Sequence, residues 1–346
     1  MTAPLRLRLD RQALAGNWRA LDRLSGAAAC GAAVKADSYG LGVASVVATL
    51  AEAGCRDFFV ATWAEAAAVP PAAASLSVLH GVRAADLPLA LELAAQRSVR
   101  PVLNTATQVA RWKAAGGGAC DVMVDTGMNR LGVSPRAVRE GLLTGLTIDT
   151  LMSHLACADE DSAMNERQRA AFADLAGLTG ARRLSLANSA GIALGEAYRF
   201  DLTRPGLALY GGVPRAELAG AVRQVVFPQA EILQRRLVPA GEAVGYNATW
   251  TAPDDTAVAI LNVGYADGYF RGFSGTGMAS ADGVRLPVLG RVSMDLVAID
   301  VSAAPGLGEG DWVGLDYALP AAAAASGMSQ YELLTGLGGR YERRWD

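Results

Sequence analysis

A rhythm limits what this chain can fold into. Short apolar runs rich in β-branched or aromatic residues alternate with amphipathic stretches of helical length through the first two thirds of the sequence. The runs are 31–36, 57–61, 76–80, 100–103, 121–125, 147–153, 183–187 and 207–210. Helix-like pieces fall between them at 41–53, 63–69, 84–97, 104–114, 135–143 and 163–178, with a short one after Ser189. Strands buried on both faces read as such runs, and parallel pairing needs a crossover helix. Eight units of this kind closing on themselves predict an α/β fold of the (β/α)8 TIM-type barrel. A doubly wound open sheet shares the rhythm, but the GxGxxG fingerprint after a first strand is absent.

After residue 222 the pattern changes. Runs at 229–236, 256–263, 285–289, 296–301 and 312–316 read as strands separated by Gly, Pro and Asp turns, and only the end from Ser329 looks helical. PLRLRL, residues 4–9, alternates with period two like a half-exposed strand, and Asp10 reads as a helix cap. The expected division is a barrel over 11–222 and a C-terminal mostly-β domain over 223–346, with a strand from 1–10 joining the latter.

Composition removes several functional classes. Net charge is −3, with no basic run, which argues against a nucleic-acid partner. Cys30, Cys55, Cys120 and Cys157 are scattered, and with only His80 and His154 they offer no Cys/His metal site. Isolated thiols suit a reducing compartment. No apolar stretch reaches signal-peptide or membrane-spanning length, so the expectation is a cytoplasmic protein away from membranes.

Barrel enzymes place their chemistry at the carboxyl ends of the strands. Lys35 ends the first predicted strand in GAAVKADSYGLG, and Tyr39 follows it. Arg130 follows the fifth, His154 ends the sixth, and Asn188 and Ser189 end the seventh. Arg204, Gly206 and Tyr210 flank the eighth. Each has an ordinary structural explanation: a surface lysine, a satisfied core histidine, a helix cap, a solvated turn arginine. Their convergence on one mouth is less ordinary. A lysine losing hydration there would have a depressed pKa and could form a Schiff base with an aldehyde. Ser189 precedes a short helix whose amides suit an anion, and Gly206 lets backbone approach closely. Together these describe a pyridoxal phosphate site.

In combination and order, AVKADSYGLG, VDTGMNRLGV, MSHLACADE, LANSAGI, TRPGLALYGG, VGYNATWTAP, VGYADGYFR, LGRVSMDLVAIDV and YELLTGL resemble the bacterial alanine racemases, through nearly the whole chain. The resemblance implies that Lys35 binds pyridoxal 5'-phosphate and serves as one catalytic base. Tyr39, Ser189, Gly206, Leu207 and Tyr331 would hold the phosphate, Arg204 would meet the ring nitrogen, and His154 would lie by the ring. Tyr246 would be the second base, reached by a Tyr246–His154–Arg204 hydrogen-bond chain. Arg130 would reach the cofactor's phenolic oxygen and the substrate carboxylate, with the Met294 amide on that carboxylate too. In the family the tyrosine and methionine come from the other subunit, so a homodimer is implied. Asp159, Tyr265 and Arg271 match positions at the substrate entrance.

Some positions depart from the family pattern. Met123 stands where many members carry a carbamylated lysine, and a thioether carries no carbamate. Asn247 replaces a common glycine after the tyrosine, Ser293 a frequent cysteine, and Ser329 a larger apolar residue at the entrance. The expected activity is racemisation of alanine, supplying D-alanine for the cell wall or for catabolism. The alternatives are a racemase of broader range, accepting serine or other small amino acids, a decarboxylase, and a cofactor carrier. The absence of any cysteine after Cys157 counts against the decarboxylase, and the presence of both bases against the carrier.

Overall fold

The structure, a computed structural model, describes residues 4–346. Residues 1–3 of the expected strand over 1–10 lie outside this range. A first strand, β1 (Leu5–Leu9), leads into helix Arg11–Ser25, where the Ala13 amide donates to Asp10 Oδ1 at 2.7 Å.

The barrel opens with a strand interrupted at Gly31, β2 (Ala29–Cys30) and β3 (Ala32–Ala33). Then come β4 (Asp57–Val60), β5 (Ser75–Val78), β6 (Val99–Leu103), β7 (Cys120–Met123), β8 (Ile148–Met152) and β9 (Arg183–Ser185). Strands β3 to β9 form one parallel sheet in chain order. The ring closes through β10 (Leu202–Thr203), which pairs in parallel with β2 and sends the Arg204 amide to the Ala187 carbonyl at 2.8 Å. Gly31 sits where the first strand is gripped from both sides. A Cβ there would stand 2.8 Å from the Asp57 carbonyl oxygen and the Phe59 ring, and 3.3 Å from the Thr203 carbonyl oxygen.

The eighth strand is therefore Leu202–Thr203, not 207–210. Leu207–Tyr210 is a 3-10 turn instead. Its apolar side chains are all buried, but Gly206 at φ −130, ψ −83 leaves the main backbone wells and bends the chain inward. The Tyr210 hydroxyl then donates to the Ala33 carbonyl at 2.9 Å, and the Ala33 amide to the Pro205 carbonyl at 2.8 Å. The run closes the barrel end rather than extending its sheet.

Two layers fill the barrel interior. Phe59, Val102, Met123, Met152 and Leu202 make an apolar cluster. Two residues earlier on several of the same strands stand Asp57, Arg100, Asp121 and Thr150, a polar floor that the reading of continuous apolar strands did not anticipate. Arg183 grips Asp57 with both terminal nitrogens, at 3.0 and 2.8 Å, and reaches Asp149 at 2.8 Å. Asp121, fully buried, accepts from the Ser77 hydroxyl at 2.6 Å, the Thr150 amide at 3.0 Å and, at a longer 3.4 Å, Arg100 Nε.

The second compact unit comprises the described residues up to Ala13, Tyr39–Leu41 and Gln224–Asp346, while Leu14–Ser38 and Gly42–Arg223 form the barrel unit. It contains β11 (Val226–Val238), a hairpin of β12 (Ala243–Val244) and β13 (Trp250–Thr251), then β14 (Thr256–Leu261), β15 (Met278–Ala281), β16 (Val284–Leu289), β17 (Val297–Asp300), β18 (Trp312–Leu315) and β19 (Glu342–Trp345). Strand β11 is long enough to pair with β1 and β18 along its first half and with β14 along its second, across a bulge between Ile232 and Gln234. That double pairing closes β14, β17, β16, β15, β18 and β11 into an antiparallel ring, with β1 and β19 added beside it. Helix Leu319–Ser326 precedes helix Gln330–Thr335, so helix begins earlier than Ser329, and the chain ends in a strand. Among the described residues no helix is long and apolar enough to cross a membrane.

Arg183→Met would leave Asp57 buried without its cation. Removing one partner of a buried pair costs about 3–5 kcal/mol, so a clear fall in the urea midpoint is expected. Adding Asp57→Asn should restore part of it.

Candidate active site

The strand carrying Lys35 stops at Ala33, and Lys35 begins a turn of unusual hand. Ala36, Asp37, Ser38 and Tyr39 all have positive φ, at 53, 50, 55 and 58°, followed by Gly40 at 86°. Left-handed helical backbone costs an L-residue about 1–2 kcal/mol, and such strain tends to persist at functional sites where surroundings over-determine it. The turn is held by the Ser38 amide on the Val34 carbonyl and the Gly42 amide on the Asp37 carbonyl, each at 3.0 Å. Two carboxylates add to this. Asp37 Oδ1 accepts from the Val43 amide at 2.7 Å, and Glu65 Oε1 from the Ala36 amide at 2.9 Å.

Around Lys35 the field is positive. Burial lowers its pKa first, Arg130 lowers it further and Arg204 adds to this, with only Glu65 opposing. Loss of hydration, then Arg204, Arg130 and Lys35, hold the His154 imidazole neutral, with its pKa down to about 3. Arg130 and Arg204 thus act on Lys35, and all three act on His154, so the structure brings these four strand-end residues within electrostatic reach. Arg204 is buried, and this lowers its pKa to about 10 against the pull of Asp121, so it stays charged near neutrality. Its terminal nitrogens donate to the Ser185 hydroxyl and, at 2.7 Å, to the Ser153 carbonyl. The expected hydrogen bond from Arg204 to His154 is not made among the described residues; the two communicate through charge.

A cluster of backbone donors lies on the segment that closes the barrel. The Gly206 amide donates to the Ser189 hydroxyl at 2.9 Å and the Ala208 amide to the same oxygen at 3.2 Å. Asn188 caps the helix Ser189–Ala193, its Oδ1 accepting from the Gly191 amide at 2.9 Å. Leu207, between the two donor residues, is buried. Hydrogen bonds at Ala33 tie this segment to the end of the strand that leads into Lys35. An amine, converging N–H groups and excess positive charge are the donor set that an anionic aldehyde such as pyridoxal phosphate requires.

The backbone at Arg130 is held by Asp125, which motif reading passed over. Asp125 accepts from the amides of Gly127 at 2.8 Å, Asn129 at 3.1 Å and Arg130 at 2.9 Å. Burial raises its pKa, but these amides and that of Met128 more than offset this and hold the carboxyl below its usual range. Met123 packs into the apolar interior cluster. Asp159 is exposed in the loop after β8.

In the second unit, the rings of Tyr39 and Tyr331 approach to 6.4 Å. Tyr246 stands 67% exposed in the hairpin loop, where Asn247 takes the left-handed φ of 63° that asparagine tolerates. Met294 is 54% exposed. Its loop is locked to the Tyr265 turn by the Tyr265 amide on the Ser293 carbonyl and the Ala266 amide on the Met294 carbonyl, each at 3.0 Å. Only glycine fits at Gly264, where a Cβ would collide with the Met294 carbonyl. Arg340 braces the assembly, with Nε 2.6 Å from buried Asp267 and Nη1 2.8 Å from Asp295. Arg271 lies over the Tyr265 ring at 5.2 Å. Ser329 is a helix N-cap, accepting from the Glu332 amide at 3.2 Å, and that accounts for its hydroxyl.

Comparison with known proteins gives a consistent picture. The family profile described as "Alanine racemase, N-terminal domain" matches residues 9–214, and "Alanine racemase, C-terminal domain" matches residues 225–345. An alanine racemase of Methylobacterium nodulans is 42% identical, over 98% of this chain and 95% of that protein. A catabolic alanine racemase of Agrobacterium fabrum is 41% identical, over 98% and 91%. The crystal structure of alanine racemase from Bartonella henselae with covalently bound pyridoxal phosphate superposes with a TM-score of 0.90 at 31% identity, covering all of both chains.

A depressed carboxyl pKa stabilises above the unfolded value of about 3.9 and loses that contribution as pH falls through the folded one. The amides of Gly127, Asn129 and Arg130 should therefore lose hydrogen-exchange protection as pH drops below about 4. Asp125→Asn should weaken protection at neutral pH and remove the pH step.

Proposed function

The chain belongs to the alanine racemase family, and we propose that it interconverts L- and D-alanine with pyridoxal phosphate as its cofactor. The observation that carries this reading is the field at Lys35, whose pKa is lowered by loss of hydration and by Arg130 and Arg204, at the mouth of a barrel whose closing segment turns two amides onto Ser189. The cofactor, when bound, supplies a conjugated ring that takes up the charge left on the α-carbon.

In this reading Lys35 anchors the cofactor and moves the α-proton on one face. Ser189, Gly206, Leu207, Tyr39 and Tyr331 hold the phosphate, with Asn188 fixing the turn. Arg204 faces the ring nitrogen and His154 lies beside the ring. Arg130 and the Met294 amide orient the substrate carboxylate, and Asp159, Tyr265 and Arg271 line the way in. The Tyr246 phenol, from a second copy of the chain, moves the proton on the opposite face. A free phenol has a pKa of about 10, so it works as a base near neutrality only in a positive field, which Lys35, Arg130 and Arg204 supply. The exposure of Tyr246 and Met294 on a single chain supports a homodimer with shared sites. The proposed division of labour gives Lys35 and most cofactor contacts to 11–222, and Tyr331, Met294 and the second base to 223–346. The enzyme would supply D-alanine for the cell wall or feed alanine catabolism, and its free cysteines suit the cytoplasm. The broader-range alternative drew on Ser329, and with that hydroxyl serving as a cap no particular observation favours it.

Purified protein should convert L-alanine to the racemate only with pyridoxal phosphate present. Tyr246→Phe should lower kcat by about 10²–10⁴-fold, the usual contribution of an acid–base group. Retention of full activity by that variant would remove the two-base reading. Because Met123 carries no carbamate, adding bicarbonate to a decarbonated sample should leave the rate unchanged.

A further inference from the structure

Glu65 lies on helix Trp63–Ala68, directly after β4, in a capping box with Thr62. In such a box the carboxylate serves amides at the start of its own helix. Here Oε2 does so, accepting from Ala61 at 2.6 Å and Thr62 at 3.3 Å. Oε1 leaves the helix altogether and accepts from Ala36, the residue after Lys35. One carboxylate thus links the end of the barrel's second strand to the left-handed turn at the end of its first. The other bonds of that turn lie further along it, at Ser38, Gly42 and Asp37, and the Ala36 amide is where the strained backbone departs from the lysine.

We propose that Glu65 is a positioning residue for Lys35, clamping the left-handed turn so that the amine is aimed at the cofactor and holding a compensating negative charge beside it. This rests on the reading of Lys35 as the cofactor-binding base. The titratable groups around the lysine come from every strand end that faces it: Glu65 after β4, Arg130 after β7, His154 after β8 and Arg204 after β10, with Asp37 on its own turn. Of the groups that act on it most strongly, Glu65 is the one that favours its protonated form. A neutral side chain there would lower the pH at which the amine becomes free, and glutamine would also turn an N–H toward one of three amides that need an acceptor.

The chain has two lysines, Lys35 and Lys113, so acylation of the full-length cofactor-free protein can be read site by site by mass spectrometry with Lys113 as internal reference. In Glu65→Gln the pH midpoint for labelling Lys35 should move down by about 1 unit while that of Lys113 stays put. In the cofactor-loaded enzyme kcat should fall by roughly 10–100-fold, the penalty of a misdirected group, with KM little changed. Glu65→Asp, which keeps the charge on a shorter arm, should restore the labelling midpoint. Thr62→Ala removes the helix cap but not the bond to Ala36, and should leave midpoint and kcat near wild type. An unchanged Lys35 midpoint in Glu65→Gln, or the same losses in Thr62→Ala, would overturn the proposal. If the wild-type protein fails to racemise alanine, the functional reading falls, while the labelling series still decides whether Glu65 governs Lys35.

Discussion

Positive charge is concentrated at the barrel mouth without a matching set of anions. Arg130 and Arg204 lower the proton affinity of Lys35, all three act on His154, and loss of hydration compounds the effect. Such an arrangement resists its own assembly, so the surrounding backbone has to impose it. The left-handed turn fixes Lys35, the Asp125 loop fixes Arg130, and the Ser185 hydroxyl with the Ser153 carbonyl fixes Arg204. A bound anion relieves the repulsion, and charges already held in place by backbone are how preorganised sites gain affinity and rate. Binding of this kind also stabilises the folded chain by mass action.

The opposite end of the same strands solves the reverse problem. Asp57, Asp149, Arg100 and Arg183 are mutually paired, so the floor is polar but balanced. Between floor and mouth lies the apolar layer of Phe59, Val102, Met123, Met152 and Leu202. Asp121 bridges the two electrically, since its charge is what opposes deprotonation of Arg204. Met123 continues the apolar layer, and the backbone at Arg130 is held by Asp125.

Much of this was legible from residue order. Strand ends carrying Lys35, Arg130, His154 and Ser189 could be found because barrel topology sends them to one rim, and seven strands announced themselves as apolar runs. LALY was misleading because apolarity alone does not distinguish a strand from a buried turn, and the true eighth strand is two residues long. The charged floor escaped notice because inward Asp and Arg interrupt a run only once each. Little in KADSYG signals left-handed backbone: alanine and tyrosine have no preference for it, and the conformation is held by backbone bonds, by Asp37 and by Glu65, twenty-nine residues away. Glu65 itself was readable as a capping box in TWAE, though its second bond was not.

The terminal strands lie side by side, with Leu5–Leu9 sandwiched between β11 and the final strand Glu342–Trp345. A ribosome delivers the first of these long before either neighbour. Leu5–Leu9 must therefore wait, unpaired and leucine-rich, while the barrel is synthesised, and it meets Glu342–Trp345 only once that strand too has been made. Pairing between strands so far apart in sequence is intrinsically slower than the local contacts of the barrel, and an unpaired strand is exposed to misassembly in the meantime.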